Sequence, residues 1–166
     1  QQLLSQCDYP LLLVIIPRHP ERRREVQETL AKMELVGRLR SELTNYSPML
    51  SAGEVLIGDT LGEVIGFYSV ADLVFVGGSL VPVGGHNLLE AALVSKPVVF
   101  GPYIHNFKEI STKLIAAGAG IKVNGREQLV RCCLTMLKDP SRRRMMGKAG
   151  RALIEENSGV TARIMA

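Results

Sequence analysis

Apolar and polar positions along this chain switch repeatedly between a strand-like and a helix-like pattern. Residues 11–16 are a continuous apolar run rich in β-branched side chains, the signature of a strand covered on both faces, and Pro17 stops it. Pro20 suits the first turn of a helix, Glu21 follows where the helix dipole favours an acid, and Val26, Leu30 and Met33 recur at helical spacing. Residues 35–43 alternate as a second strand, and residues 45–53 read as a polar loop containing Pro48. A short strand over 54–58 runs through a turn at 59–63 into a helix ending near residue 70. Further strands are predicted over 72–76, 97–100 and 121–123. Between them lie a glycine-rich turn with a helix over 87–94, and a helix opened by the capping box Asn106-Phe-Lys-Glu109. Helices over 126–138 and from Asp139-Pro140 onward complete the chain, with an interruption expected at Gly159.

Strands that alternate with helices predict an α/β fold: a Rossmann-like, doubly wound parallel sheet of about six strands with helices on both faces. The length of 166 residues and the absence of an internal repeat fit a single domain over 1–166. Gln1 is no initiator, and neither end shows a break in composition, so the chain is expected to be part of a longer protein. No apolar run reaches the ~18 residues that a membrane-spanning helix needs.

Cys7, Cys132 and Cys133 form an odd, poorly spaced set that suits a reducing compartment better than a disulfide framework. His19, His86 and His105 are scattered, without metal-ligand spacing. The net charge of +4 draws on two arginine runs, 22–24 and 142–144, and favours anionic partners. The simplest reading of both runs is a solvated helix face. Aromatic residues at 5% with no Trp leave few stacking platforms, which argues against nucleic acid as the partner.

The segment from Gly77 to Ala92 carries the clearest chemistry. A buried-looking strand enters it, four glycines and a proline fill the turn, and a helix leaves it, so that backbone N–H groups can face a phosphate. It matches neither G-x-G-x-x-G nor a P-loop. In doubly wound folds ligands bind at the carboxyl ends of the strands. The polar residues there are Arg18 and His19 after the first strand, and Asp59, Thr60 and Glu63 after the third. Ser79, His86, Asn87 and Glu90 follow the fourth, and His105 and Asn106 the fifth. Arg18, a permanently charged planar fork at a helix start, calls for an anion. Glu90 is placed to accept ribose hydroxyls, although Asn87-x-x-Glu90 is equally a capping box, and Thr60-x-x-Glu63 has the same two readings. No Ser-His-Asp set or paired carboxylates with clear roles appears.

Several motifs resemble, as a set, the C-terminal half of the Kdo transferases, glycosyltransferases of the GT-B type. They are Pro17-Arg-His-Pro-Glu-Arg22, Gly58-Asp-Thr-Leu-Gly-Glu63, Phe75-Val-Gly-Gly-Ser79, Gly84-Gly-His-Asn-Leu-Leu-Glu-Ala91, Pro97-Val-Val-Phe-Gly-Pro102 and His105-Asn-Phe107. The resemblance covers residues 10–125 and implies a donor-binding domain for CMP-Kdo. It implies CMP contacts at Pro17, Arg18, Leu61, Gly62, Glu63, Asn87, Leu88, Leu89 and Glu90. His19, Thr60, Ser79, Gly84, Gly85, His86, His105 and Asn106 are further candidates beside the donor.

The resemblance also implies inverting transfer of Kdo to a lipid A precursor at the cytoplasmic face of a bacterial inner membrane, with neither metal nor cofactor. The acceptor domain and the carboxylate base would lie in an N-terminal domain absent from this chain. The chain alone is therefore expected to bind CMP without catalysing transfer, and its arginine runs to favour an anionic membrane surface. Alternative readings are a UDP-sugar transferase or epimerase of GT-B shape and a non-catalytic nucleotide-binding domain.

Overall fold

The computed structural model describes residues 1–44, 50 and 53–164, so most of the polar loop expected over 45–53 lies outside the described residues. The chain divides into two compact units, Gln1–Val64 and Ile65–Ala166. The first contains helix α1 (Gln2–Gln6), strand β1 (Leu13–Ile15), a 3-10 turn (Pro20–Arg22) leading into α2 (Arg23–Ala31), β2 (Val36–Leu39), a second 3-10 turn (Arg40–Glu42) and β3 (Glu54–Ile57). Its sheet has the order β1-β3-β2, with both pairings parallel: Leu13 lies opposite Val55, and Leu39 opposite Ile57.

Placing β3 in the centre buries Val55 and Ile57 completely, and Leu30 of α2 packs on them with Leu39. Gly37 permits that packing. A Cβ there would lie 2.8 Å from Ile57 Cδ1 and 2.9 Å from Leu30 Cδ1, so the tips of these two side chains fill the space the glycine leaves open.

The second unit begins within α3 (Val64–Val70) and continues through β4 (Val74–Phe75), α4 (Leu89–Leu93) and β5 (Val98–Phe100). A 3-10 turn (His105–Phe107), α5 (Lys108–Ala116), β6 (Gly120–Lys122), α6 (Arg126–Leu137) and α7 (Pro140–Ile164) follow. The order β4-β5-β6 is again parallel throughout. Val98, Val99 and Phe100 of the central strand are fully buried, which accounts for their unbroken apolar run. Leu88, Ala91, Ala92, Leu114 and Ala119 complete the core around them.

Every strand pairing is parallel, as the periodicity predicts, and helices separate successive strands except between β2 and β3, where the described residues hold only a 3-10 turn; the hydrogen-bonded ladders are two of three strands each. Three local expectations change. Helix α7 continues through Gly159 instead of breaking there. The proposed box at 106–109 is absent, because a 3-10 turn occupies 105–107 and Glu109 pairs with Lys113 at 2.7 Å. Arg143, expected on a solvated face, turns inward: its guanidinium donates to the carbonyls of Met136 and Leu137 at the end of α6 and meets Asp72 at 2.9 Å. A cation there offsets the negative end of α6. The Asp139 cap does form, its Oδ1 accepting the Arg142 amide at 2.8 Å.

Candidate functional site

Parallel pairing puts the carboxyl ends of β1, β2 and β3 on one edge of the first unit's sheet. The loops there carry Pro17, Arg18 and His19 after β1, residues 40–42 after β2, and Gly58 to Glu63 after β3. The Gly58 amide donates to the Ile15 carbonyl at 2.9 Å, joining the first and third loops at their roots. Arg18 is exposed and has no ion pair with another of the described residues, so its charge is available to a ligand. His19 is exposed and its Nδ1 lies 3.3 Å from Glu21.

Residues 59–63 form a tightly braced turn. Asp59 is buried, and both its oxygens accept from Ser41, Oδ1 from the amide at 2.9 Å and Oδ2 from the hydroxyl at 2.6 Å. Burial works against the Asp59 charge, but the Ser41 bonds and the Arg23 guanidinium outweigh it and hold the carboxyl below its ordinary range. Thr60 donates to one oxygen of Glu63, and Arg40 donates to the other at 3.0 Å. The spacing Thr60-x-x-Glu63 thus produces a side-chain contact just ahead of α3, where a capping box would use the backbone. At the tip, Leu61 is 84% exposed, and Gly62 adopts φ +79 with open space around it.

In the second unit the loops after β4 and β5 are neighbours, because those strands pair. Left-handed Gly78, Gly84 and Gly85 shape the first loop, and the Gly85 amide donates to the Gly78 carbonyl at 3.1 Å to close it. A Cβ at Gly85 would come within 3.2 Å of the Tyr103 carbonyl, and one at Gly84 would face Asn106 Nδ2 at 3.7 Å, so the two loops touch. The half-buried His86 ring lies against Gly78, and exposed His105 meets Tyr103 edge-on with centroids 6.3 Å apart.

Ser79, expected beside the donor, is instead fully buried. Its hydroxyl donates to the Val76 carbonyl at 2.5 Å and accepts the Gly101 amide at 2.8 Å.

Asn87 realises half of a capping box. Its Oδ1 accepts the Leu89 amide at 3.0 Å while its Nδ2 donates to Glu90 Oε1 at 3.2 Å. This orients a half-buried Glu90 whose only hydrogen bond to a described residue is that one. Burial, with a further contribution from Glu90, raises the Tyr68 hydroxyl above its usual range. Leu88 is fully buried in the core, backbone included, while Leu89 is half-buried. Helix α4 has five residues, shorter than the helix expected over 87–94.

Elsewhere in the second unit, a cavity of about 230 Å³ is lined by Ile121, Val123, Arg131, Cys132, Thr135 and Arg142 among others, none of them among the predicted site residues. Among the described residues no group of three His, Cys, Asp or Glu could hold a metal ion. No helix is long and apolar enough to cross a membrane among those residues. Sequence reasoning missed Arg40 and Ser41, because nothing in the spacing of residues 38–43 links them to a turn some twenty positions later.

No family model matches the chain. It is 37% identical over 155 residues to the 3-deoxy-D-manno-octulosonic acid transferase of Bordetella pertussis, which covers 93% of this chain and 36% of that protein. It is also 37% identical over 161 residues to the transferase of the same name from Haemophilus influenzae, covering 95% of this chain. The chain thus spans about a third of the length of these curated relatives, 36% of each. The crystal structure of the C-terminal CMP-Kdo binding domain of WaaA from Acinetobacter baumannii superposes with a TM-score of 0.78 at 26% identity. That match covers 92% of this chain and 94% of the other, and it establishes the Rossmann-like architecture of a GT-B C-terminal half. The chain is therefore homologous to the 3-deoxy-D-manno-octulosonic acid transferases, in the part that corresponds to their C-terminal domain.

Proposed function

We propose that this chain is the donor-binding domain of a glycosyltransferase that moves Kdo from CMP-Kdo to a lipid A precursor, with inversion at the anomeric carbon. The observation that carries this reading is the match, over nearly the whole of both chains, to a domain described as binding CMP-Kdo. The residues at the strand ends of each unit agree with it. Arg18 offers the phosphate a permanent cation that has no ion pair among the described residues. The exposed tip at Leu61 and Gly62 leaves its backbone open to a ligand. Asn87 orients the Glu90 carboxylate toward the role of a ribose acceptor, with one oxygen left for a hydroxyl. Pro17, Leu61, Gly62, Glu63 and Leu89 contribute through backbone or apolar contact, Leu88 anchors its segment in the core, and the glycine loop with His86, His105 and Asn106 borders the sugar.

Binding of CMP in this reading needs no metal, since Arg18 meets the phosphate charge. The base that deprotonates the acceptor hydroxyl belongs to a domain outside this chain, so the chain alone binds CMP and does not transfer Kdo. The full protein works at the cytoplasmic face of a bacterial inner membrane, where exposed arginines such as Arg24 and Arg144 favour anionic lipid.

The test is titration of the isotope-labelled chain with CMP, UMP and UDP in the presence and absence of EDTA. CMP is expected to shift the amides of residues 18, 61–63 and 87–90 more than UMP or UDP does, with EDTA making no difference. Arg18→Ala is expected to weaken CMP binding about tenfold, the scale of losing one charge-assisted contact, without lowering Tm. Equal response to all three nucleotides, or none, would reject the reading.

A further inference from the structure

The 3-10 turn Arg40–Glu42, which no sequence motif marks, grips both acidic residues of the turn after β3. Arg40 Nη2 lies 3.0 Å from Glu63 Oε1, and Thr60 donates to the other oxygen. Ser41 bonds both oxygens of Asp59, at 2.9 Å through its amide and 2.6 Å through its hydroxyl. Arg23 stands 4.0 Å from the same carboxylate. Each carboxylate therefore has both oxygens held from within the protein. The tip is the most open part of the turn: Leu61 is exposed and a Cβ on Gly62 would meet nothing within 4 Å, while the Arg40–Glu63 pair beside it is half-exposed.

We propose that Arg40 is a positioning and charge-masking residue for this turn: it holds Glu63 so that the turn presents backbone N–H groups, and no negative charge, to an anionic ligand. The inference rests on the reading of this edge as a CMP site and assigns Glu63 a different part in it. An oxygen already accepting from Arg40 and another accepting from Thr60 make Glu63 a brace for the turn, not an acceptor for a ribose hydroxyl. A phosphate monoester brought near an unpaired carboxylate would be repelled, whereas a neighbouring guanidinium cancels that repulsion. Ser41 gives Asp59 the complementary treatment through hydrogen bonds. The exposed tip then recognises its ligand through donors that no side chain obscures.

The experiment combines CMP titration with amide hydrogen exchange of the free protein. Arg40→Ala is expected to weaken CMP binding about tenfold, the size of a like-charge penalty at a half-exposed site, and more at low salt than at high. It is also expected to speed exchange at the amides of 61–64 severalfold in the absence of any ligand, with β5 unchanged. Arg40→Lys, which keeps the charge, retains most of the affinity. Arg40→Ala combined with Glu63→Gln recovers affinity, because the unmasked charge is gone; a purely structural role for Arg40 would not produce that rescue.

Arg40→Gln serves the same two measurements if the alanine variant does not fold. Wild-type affinity and exchange in the neutral variant would overturn the proposal, and so would failure of the double variant to recover. Absence of CMP binding by the wild-type chain would instead sink the functional reading, leaving the clamp to be judged by exchange at 61–64 alone.

Discussion

Ser79 and Gly101 are locked together: the Gly101 amide donates to the Ser79 hydroxyl at 2.8 Å, and a Cβ on Gly101 would lie 2.2 Å from the Ser79 carbonyl oxygen. The Tyr103 amide donates to that same carbonyl at 2.9 Å. One buried serine thus fastens the glycine loop after β4 to the loop after β5. Ser79→Ala is expected to cost about 1–3 kcal/mol, because the Gly101 N–H loses its partner in a dry environment. Gly101→Ala is expected to cost more, since the atom in the way is backbone and cannot rotate aside. Urea unfolding measures both, and a cost for Gly101→Ala below that of Ser79→Ala would contradict this geometry.

The same substitution should have opposite signs at two helical glycines. At Gly147 in α7 a Cβ would fall 1.8 Å from the carbonyl oxygen of Ser95, itself held at φ +58, so the helix can cross this turn only without a side chain. Gly147→Ala is expected to destabilise by at least ~2 kcal/mol despite the better helix propensity of alanine. At Gly66 in α3 a Cβ meets nothing within 4 Å. Gly66→Ala is expected to stabilise by up to about 1 kcal/mol. Thermal unfolding of the two variants should therefore move Tm in opposite directions.

Acid should weaken the first unit through Asp59. Its carboxyl is held below the ordinary range in the folded state, so it contributes stability at neutral pH that is lost as pH falls through and beneath that range. Asp59→Asn is expected to flatten this part of the acid limb. The gap in stability between wild type and variant should narrow from about pH 7 to about pH 3. A gap independent of pH would show that the Ser41 bonds do not favour the charged form.

The adjacent thiols of α6 should be slow to react. Burial, and then the neighbouring Cys132, push the Cys133 thiol up to about 11, and burial also raises Cys132, with Arg142 partly opposing. At about pH 8 the reactive thiolate is then a minor species at Cys133. Pulsed alkylation read by mass spectrometry should label Cys133 only on unfolding, and native labelling at the rate of a free thiol would refute the assignment.

Much of the architecture was legible because local patterns and tertiary packing agree. The unbroken apolar runs at 11–16 and 97–100 enclose β1 and β5, and the latter is buried on all sides because it is the central strand of its sheet. Asp139-Pro140 starts α7 as its chemistry requires. Other signals were ambiguous because the same residues serve a loop or a ligand. Asn87 and Glu90 do bond to each other, yet Asn87 caps Leu89 from two positions away and leaves one Glu90 oxygen without a described partner. Ser79 has the polarity of a site residue and the burial of a core residue, a difference that only the packing of the chain decides.

The sequence alone determined the order of strands and helices from β1 onward (helix α1 was not foreseen), the parallel α/β class and the motif set shared with the Kdo transferases. These follow from period, turn chemistry and residue identity, all of which are local. The tertiary structure alone decided which polar groups stay open to a ligand. Arg18 has no partner among the described residues, whereas Arg143 is drawn onto the end of α6 and Glu63 onto Arg40. A charged side chain finds its partner by distance in space, and residues 23 or 71 positions apart along the chain meet only after the strands have paired and the helices have packed.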